Sequence, residues 1–95
     1  MAVVVGLLSV DLHIADSQSL KDKRMVIRGI RDRLKKFNVS VAEVEFQDLW
    51  QRVGLGVATV SNSRQHVTQT LEAALSEIER VEPGLVARTE LEILT

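Results

Sequence analysis

Residues 52–81 read RVGLGVATVSNSRQHVTQTLEAALSEIERV, and the spacing of the apolar residues changes in the middle of this stretch. Up to residue 61 the segment is rich in β-branched and small apolar residues, which predicts a strand. Beyond it the apolar residues recur every three or four positions, which predicts an amphipathic helix. Asn62 or Ser63 is the expected N-cap, and Pro83 with Gly84 ends the helix. The apolar stripe of this helix consists of Val67, Leu71, Ala74, Leu75, Ile78 and Val81.

The first half of the chain shows the same change of period. Residues 2–14 predict a strand with apolar residues on both faces, and residues 15–18 interrupt it. Ser19 followed by Asp22 predicts a helix N-terminus, since a serine hydroxyl at the N-cap can accept a backbone N–H bond three residues later. The apolar stripe of this helix consists of Leu20, Ile27, Ile30, Leu34 and Phe37.

Two further strands, over residues 39–46 and 85–94, complete the order β-α-β-β-α-β, with residues 47–51 as a connection. Right-handed crossovers turn two such units into one sheet with both helices on the same face. The sequence therefore predicts an α+β, ferredoxin-like βαββαβ fold: a four-stranded antiparallel sheet with two helices on one face. A single domain spans residues 1–95, because neither a linker nor an internal repeat interrupts the pattern.

Charge is strongly segregated along the chain, although the formal net charge is only −1. Residues 21–36 hold eight of the twelve bases and two of the thirteen acids, for a net charge of +6, and the remaining 79 residues carry −7. Five of these bases follow a 3-4-3-4 spacing on the first helix and form what we call the basic stripe. It consists of Lys21, Arg24, Arg28, Arg31 and Lys35, and Lys23, Arg33 and Lys36 are expected to broaden it.

A concentrated basic surface attracts phosphates or acidic partners. We expect the basic stripe to contact the backbone of RNA, free or within a ribonucleoprotein, without reading its sequence. The alternative is a solvated helix face whose bases pair with nearby acids, including those of the acidic second helix.

The first and third strands are central in this topology, and both of their faces are apolar. A strand that is apolar on both sides normally has both sides covered, whereas helices cover one side here. We therefore expect a homo-oligomer formed through the open sheet face. A modest exposed apolar patch on a monomer is the alternative.

Composition excludes several classes of protein. The chain has no cysteine, so disulfides, thiolate metal sites and cysteine nucleophiles are excluded. The apolar N-terminal stretch lacks the basic segment of a signal peptide and is too short to span a bilayer. We expect a cytoplasmic protein without membrane partners.

Aromatic residues are scarce: the chain has only Phe37, Phe46 and Trp50. Binding domains of this topology stack RNA bases on aromatic side chains of the two central strands, which have none here, so stacking on the sheet is not expected. Trp50 lies in the connection between two strands and is a candidate interface anchor. Alternatively, its ring fills the space beside Gly54 or Gly56. The predicted partner-binding set is Asp48, Trp50, Gln51 and Arg52.

Catalytic patterns are weak. Ser9, Asp11 and His13 contain the residue types of a triad, but they alternate along one strand and would stand side by side instead of converging. Gly54 and Gly56 lie inside a strand, which is the wrong context for a dinucleotide-binding loop. The first loop has no glycine to hold a phosphate. We expect a protein that is not an enzyme, with no catalytic residues, cofactor or metal.

Four segments together resemble the YlxP-like family of small bacterial proteins: residues 19–24, 38–44, 47–52 and 55–58, which read SLKDKR, NVSVAEV, QDLWQR and LGVA. The resemblance extends over nearly the whole chain. It implies a ferredoxin-like fold and a link to translation or ribosome maturation, because relatives are often encoded beside translation factors and a ribosome-binding factor. It implies no reaction. The family-like positions are Leu20, Lys21, Lys23, Arg24, Asp48, Trp50, Gln51 and Arg52.

Three classes of function remain. The first is a non-catalytic accessory protein, associated with translation or the ribosome, that binds RNA or a ribonucleoprotein through the first helix. The second is a homo-oligomeric regulatory module that holds a small ligand between subunits. The third is a protein-interaction module in which Trp50 and the basic stripe contact an acidic protein.

Overall fold

The computed structural model describes residues 2–94, and its six elements follow the predicted order. They are β1 (Val4–His13), α1 (Leu20–Leu34), β2 (Ser40–Glu45), β3 (Arg52–Ser61), α2 (Arg64–Val81) and β4 (Val86–Leu94). The strands form one antiparallel sheet in the order β2-β3-β1-β4, so β1 and β3 are central. The predicted ferredoxin-like α+β fold is confirmed.

Both helices begin at serine caps. The Ser19 hydroxyl accepts the amide of Asp22 at 3.0 Å, and the Asp22 carboxylate accepts the amide of Gln18 at the same distance. This reciprocal arrangement satisfies two of the backbone donors that a helix start leaves free. Of the two candidate caps for α2, Ser63 is the one used, since its hydroxyl accepts the amide of His66.

The core lies between the helices and one face of the sheet. Alternate residues of β1 and β3, among them Leu8, Leu12, Val53 and Val57, are fully buried there. The helix stripes cover them, and the buried stripe residues are Ile27, Ile30, Leu34, Val67, Leu71, Ala74 and Ile78. Phe37, Leu75 and Val81 are half-buried, because they lie at the ends or edges of the stripes.

Gly6 marks the closest approach of α2 to the sheet. A Cβ at this position would overlap the side chains of Val67 and Leu71. The absence of a side chain on β1 therefore allows the second helix to pack directly on the central strand.

The described residues contain no helix that is both long and apolar enough to cross a membrane.

Candidate functional site

The five bases of the basic stripe are exposed on α1. The apolar positions of the helix turn toward the sheet, and the 3-4 spacing places the five bases along one flank of the apolar positions. Lys21 and Lys35 are 14 residues apart, so the stripe runs for about 21 Å along the helix axis.

The stripe borders the edge of the sheet. It flanks a groove of about 390 Å³ between α1 and β2, with Ile27 at its base and Glu43 of β2 on the opposite wall. On the other flank of α1, Lys36 forms an ion pair with Glu77 of α2 at 3.0 Å. The stripe therefore faces solvent beside edge strand β2, on the side of α1 opposite to α2.

Within residues 2–94, the exposed bases of α1 that pair with acids lie toward the C-terminal end of the helix. Lys35 contacts Asp32 at 3.2 Å, in an exposed pair of the kind that contributes little to stability. Glu77 accepts bonds from Arg80 and Lys36, and these partners lower the pKa of its carboxyl below the usual range. Within residues 2–94, no carboxylate lies within 4 Å of the side-chain nitrogens of Lys21, Arg24, Arg28 or Arg31. Four cations of the stripe are thus free to bind an external anion.

Lys23 does not broaden the stripe, and that prediction is wrong. Its side chain is 2% exposed, because its position on α1 falls among the apolar residues that face the sheet. The ammonium group forms an ion pair with Glu43 at 2.8 Å and donates to the carbonyls of Phe46 at 2.9 Å and Gln47 at 3.2 Å. It also lies 3.4 Å from the carbonyl of Arg52. Lys23 is therefore a structural residue that fastens the β2–β3 connection to α1.

The β2–β3 connection, residues 46–51, forms a tightly bonded loop that we call the Trp50 loop. It begins at Phe46, whose φ of 62° ends β2, and the amide of Leu49 donates to the Phe46 carbonyl. At its other end, the Gln51 carbonyl accepts the amide of Ile14, and the Gln51 side chain donates to the carbonyls of Ala15 and Ser17. Gln51 thus ties the loop to the segment that precedes α1.

Arg52 is also engaged within the protein. Its guanidinium contacts the Asp11 carboxylate at 2.6 Å and lies 3.8 Å from the centre of the Phe46 ring. Gln51 and Arg52 of the predicted partner-binding set thus make bonds within the protein, and Asp48, Trp50 and Gln51 are exposed.

Trp50 does not pack over the strand glycines, so the packing alternative is wrong. The Trp50 residue is 53% exposed. The space beside Gly54 is occupied by Glu45, and that beside Gly56 by Val44 and Leu7. Leu49, next to Trp50, is 47% exposed. The Trp50 loop therefore presents two neighbouring apolar side chains to solvent.

The open sheet face divides into an apolar end and a charged end. Val3, Val60 and Leu94 are exposed at the apolar end, where β1 begins and β3 and β4 finish. At the charged end a cleft of about 370 Å³ has Gly54 in its floor. Its charged side chains are Asp11, Glu45, Arg52, Arg88 and Glu90.

Ser9, Asp11 and His13 of β1 are not arranged as a triad. Ser9 and Asp11 lie on the open face, and the Asp11 carboxylate is bound to Arg52 instead of orienting His13. Across residues 2–94, no three His, Asp or Glu side chains are placed to hold a metal ion.

Comparison with known proteins identifies the family. Residues 5–91 match the family described as "Protein of unknown function (DUF503)". The chain is 39% identical over 94 residues to "Uncharacterized protein YlxP" of Bacillus subtilis (strain 168), covering 92% of this chain and 98% of the relative. Among solved structures, "De novo designed protein Foldit4" matches with a TM-score of 0.61 at 17% identity, covering 98% of this chain and 97% of the other, which shows similarity of fold alone. The chain therefore belongs to the DUF503 family, and its resemblance to YlxP-like proteins is confirmed.

Proposed function

We propose that this protein is a non-catalytic accessory protein of the cytoplasm that binds the backbone of structured RNA through the basic stripe. The RNA is free or part of a ribonucleoprotein, and the family resemblance suggests one involved in translation or ribosome maturation. The observation that carries the proposal is the row of four exposed cations, Lys21, Arg24, Arg28 and Arg31, that have no carboxylate partner within residues 2–94.

The rigidity of α1 explains how the stripe would act. The helix is held against the sheet by its buried apolar residues, so its cations keep a common line with little loss of freedom on binding. A helix packed in this way cannot enter the narrow major groove of A-form RNA, so it would contact phosphates and 2′-hydroxyls across the shallow minor groove. Backbone recognition of this kind reads shape and does not depend on base identity.

The strength of the salt dependence follows from the number of cations. Neutralising about five phosphates gives a slope of log K against log salt of about −3.5 to −4.5. Affinity should therefore fall about 100- to 500-fold between 50 and 200 mM salt.

The test measures binding to an RNA hairpin over this salt range. Lys21→Glu combined with Arg28→Glu reverses two charges of the stripe and should abolish binding at 50 mM salt. A matched control, Arg33→Glu combined with Arg64→Glu, makes the same change in net charge at exposed positions. Arg33 lies two residues from both Arg31 and Lys35, so it is on a different face of α1 from the stripe, and Arg64 is on α2. The control should bind within about 3-fold of wild type. Absence of wild-type binding at low salt, or an equal loss in both variants, would refute the proposal.

A pull-down with and without nuclease separates this function from binding to an acidic protein. Partners captured through the stripe should be lost after nuclease treatment. Capture that survives nuclease and disappears with Lys21→Glu and Arg28→Glu would favour the protein-interaction module instead.

We also propose that the open face packs against a second copy of this chain. Val3, Val60 and Leu94 are exposed on it, and Val5 and Leu7 are half-buried between them. Four strands about 4.8 Å apart and up to ten residues long give a face of about 600 Å². Two such faces total about 1,200 Å², which exceeds the roughly 1,000 Å² expected of a specific interface. The second copy would also close the charged cleft, as a small-ligand regulatory module requires.

Sedimentation velocity tests this assembly. Wild type should sediment as a dimer at about 100 µM, and Val60→Asp should sediment as a monomer because two carboxylates would be buried at the interface. The control is Met25→Asp on α1, where the side chain is 64% exposed. A monomeric wild type, or a Val60→Asp variant that remains dimeric, would contradict the proposal.

A further inference from the structure

Trp50 is the most exposed of the three aromatic residues, since Phe37 and Phe46 are half-buried. The Phe37 ring packs against the edge of the core, and the Phe46 ring is covered by the guanidinium of Arg52. Trp50, the one tryptophan of the chain, is 53% exposed. An exposed indole gives up the favourable free energy of burial, so its position needs an explanation.

The backbone beneath Trp50 is held in place. Lys23 donates to the Phe46 and Gln47 carbonyls on one side of the loop, and Gln51 donates to the Ala15 and Ser17 carbonyls on the other. These bonds fix the loop at both ends before any partner arrives. A ring on a fixed loop loses little conformational entropy on binding.

The Trp50 loop also lies at the end of the basic stripe. The Gln51 side chain of the loop donates to the carbonyls of Ala15 and Ser17, in the segment that precedes the N-terminal end of α1. Strand β2, which forms the far wall of the groove beside the stripe, leads into the same loop. A ligand that lies along the stripe and extends past the N-terminal end of α1 would reach the Trp50 loop.

We infer that Trp50 stacks on an unpaired RNA base at this end of the stripe, so that the ligand is an RNA stem with an unpaired nucleotide beside it. This inference rests on the proposed function. Base stacking requires an accessible ring surface, and Trp50 is 53% exposed. Within residues 2–94, four cations of the adjacent stripe have no carboxylate partner, and this favours a polyanion as the ligand. Stacking accepts any base, in keeping with backbone contacts along the stem.

The experiment compares two RNA hairpins with the same stem, one blunt and one with a single unpaired 3′ adenosine. Because the chain has one tryptophan, its fluorescence reports on Trp50 alone. The overhang should quench this fluorescence and tighten binding at least about 5-fold, as expected for one stacked base. The blunt hairpin should bind more weakly and quench less.

Variants assign the effect to the ring. Trp50→Ala should bind both hairpins with the affinity that wild type has for the blunt one, and Trp50→Phe should keep part of the gain. Leu49→Ala removes the neighbouring exposed apolar side chain and should leave the gain unchanged. Circular dichroism and urea unfolding of each variant confirm that the fold is retained.

The failures of the two proposals are distinguishable. Equal affinity for both hairpins with unchanged fluorescence, while Lys21→Glu with Arg28→Glu still abolishes binding, would refute stacking and leave the proposed function standing. Absence of binding to either hairpin would refute both. Loss of a nuclease-resistant protein partner in Trp50→Ala, with RNA affinities unchanged, would identify Trp50 as a protein anchor and overturn the inference.

Discussion

The replacement Lys23→Met gives the sharpest test of how this fold is held together. Methionine has a similar length and keeps the apolar part of the side chain, but it lacks the ammonium group. The change removes the 2.8 Å ion pair with Glu43 and the bonds to the carbonyls of Phe46 and Gln47. It leaves a partly buried carboxylate without its cation, since the Glu43 side chain is 21% exposed.

The expected cost follows from the environment of these groups. Removing one partner of a buried pair costs about 3–5 kcal/mol, because the other charge stays desolvated. Glu43 keeps some contact with water, which places the expected loss near the lower limit, at about 3 kcal/mol. A domain of this size has a total stability of about 5–14 kcal/mol and shifts its Tm by about 4–8 °C per kcal/mol. Lys23→Met should therefore lower Tm by about 12–24 °C.

Urea unfolding followed by circular dichroism measures this loss, with Lys21→Met as the matched control. Lys21 lies two residues away on the same helix and is exposed, so its replacement should change stability by less than about 0.5 kcal/mol. Adding Glu43→Gln to Lys23→Met should restore about 1 kcal/mol, because the uncompensated charge is removed. A loss below about 1 kcal/mol in Lys23→Met, or an equal loss in Lys21→Met, would refute the structural role of Lys23.

Two further predictions concern the packing and ion pairs of α2. Gly6→Ala should destabilise the protein by about 1–3 kcal/mol in urea unfolding, because the new methyl group overlaps side chains of α2. Gly29→Ala on α1 should stabilise the protein by about 0.5–1 kcal/mol, because a Cβ at Gly29 meets open space. Equal effects of the two substitutions would contradict the close approach of α2 to β1. Hydrogen bonds from Arg80 and Lys36 lower the pKa of the Glu77 carboxyl in the folded protein. The ionised carboxylate therefore stabilises the fold fully above the unfolded-state pKa of about 4.3, and this contribution is lost as the pH falls through the folded-state pKa. The stability difference between wild type and Glu77→Gln should therefore shrink on acidification below about pH 4.3, and a constant difference down to pH 2 would contradict it.

Most of the fold was predictable because local and global signals agree. The apolar period identified both helices and all four strands, and Ser19 with Asp22 gave the start of α1 to the residue. Strand ends were less predictable: β2 ends at Glu45 because Phe46 adopts a left-handed conformation, and no residue type signals that position. Such turns depend on contacts made elsewhere, here the bond from Lys23 to the Phe46 carbonyl.

The candidate site was predictable only in part. The spacing of the bases located the basic stripe, but it did not show that Lys23 is buried while the neighbouring bases are exposed, since residue type alone does not indicate burial. One signal was available: Lys23 lies seven residues before Ile30, on the same side of the helix as the apolar stripe. The aromatic count drew attention to Trp50, yet the sequence left its ring equally suited to packing over Gly54.

The sequence by itself determined the order of elements, the sheet topology and the line of positive charge, because each depends on the spacing of residues that are near one another in the chain. Only the tertiary structure decided which charges are free and which are used internally. Lys23 meets its partners through contacts that span 20 to 29 residues, and Gln51 reaches back 34 to 36 residues to the start of α1. Local sequence patterns do not contain contacts of this range. Because of these contacts Lys23, which was predicted to bind RNA, instead holds the Trp50 loop in place.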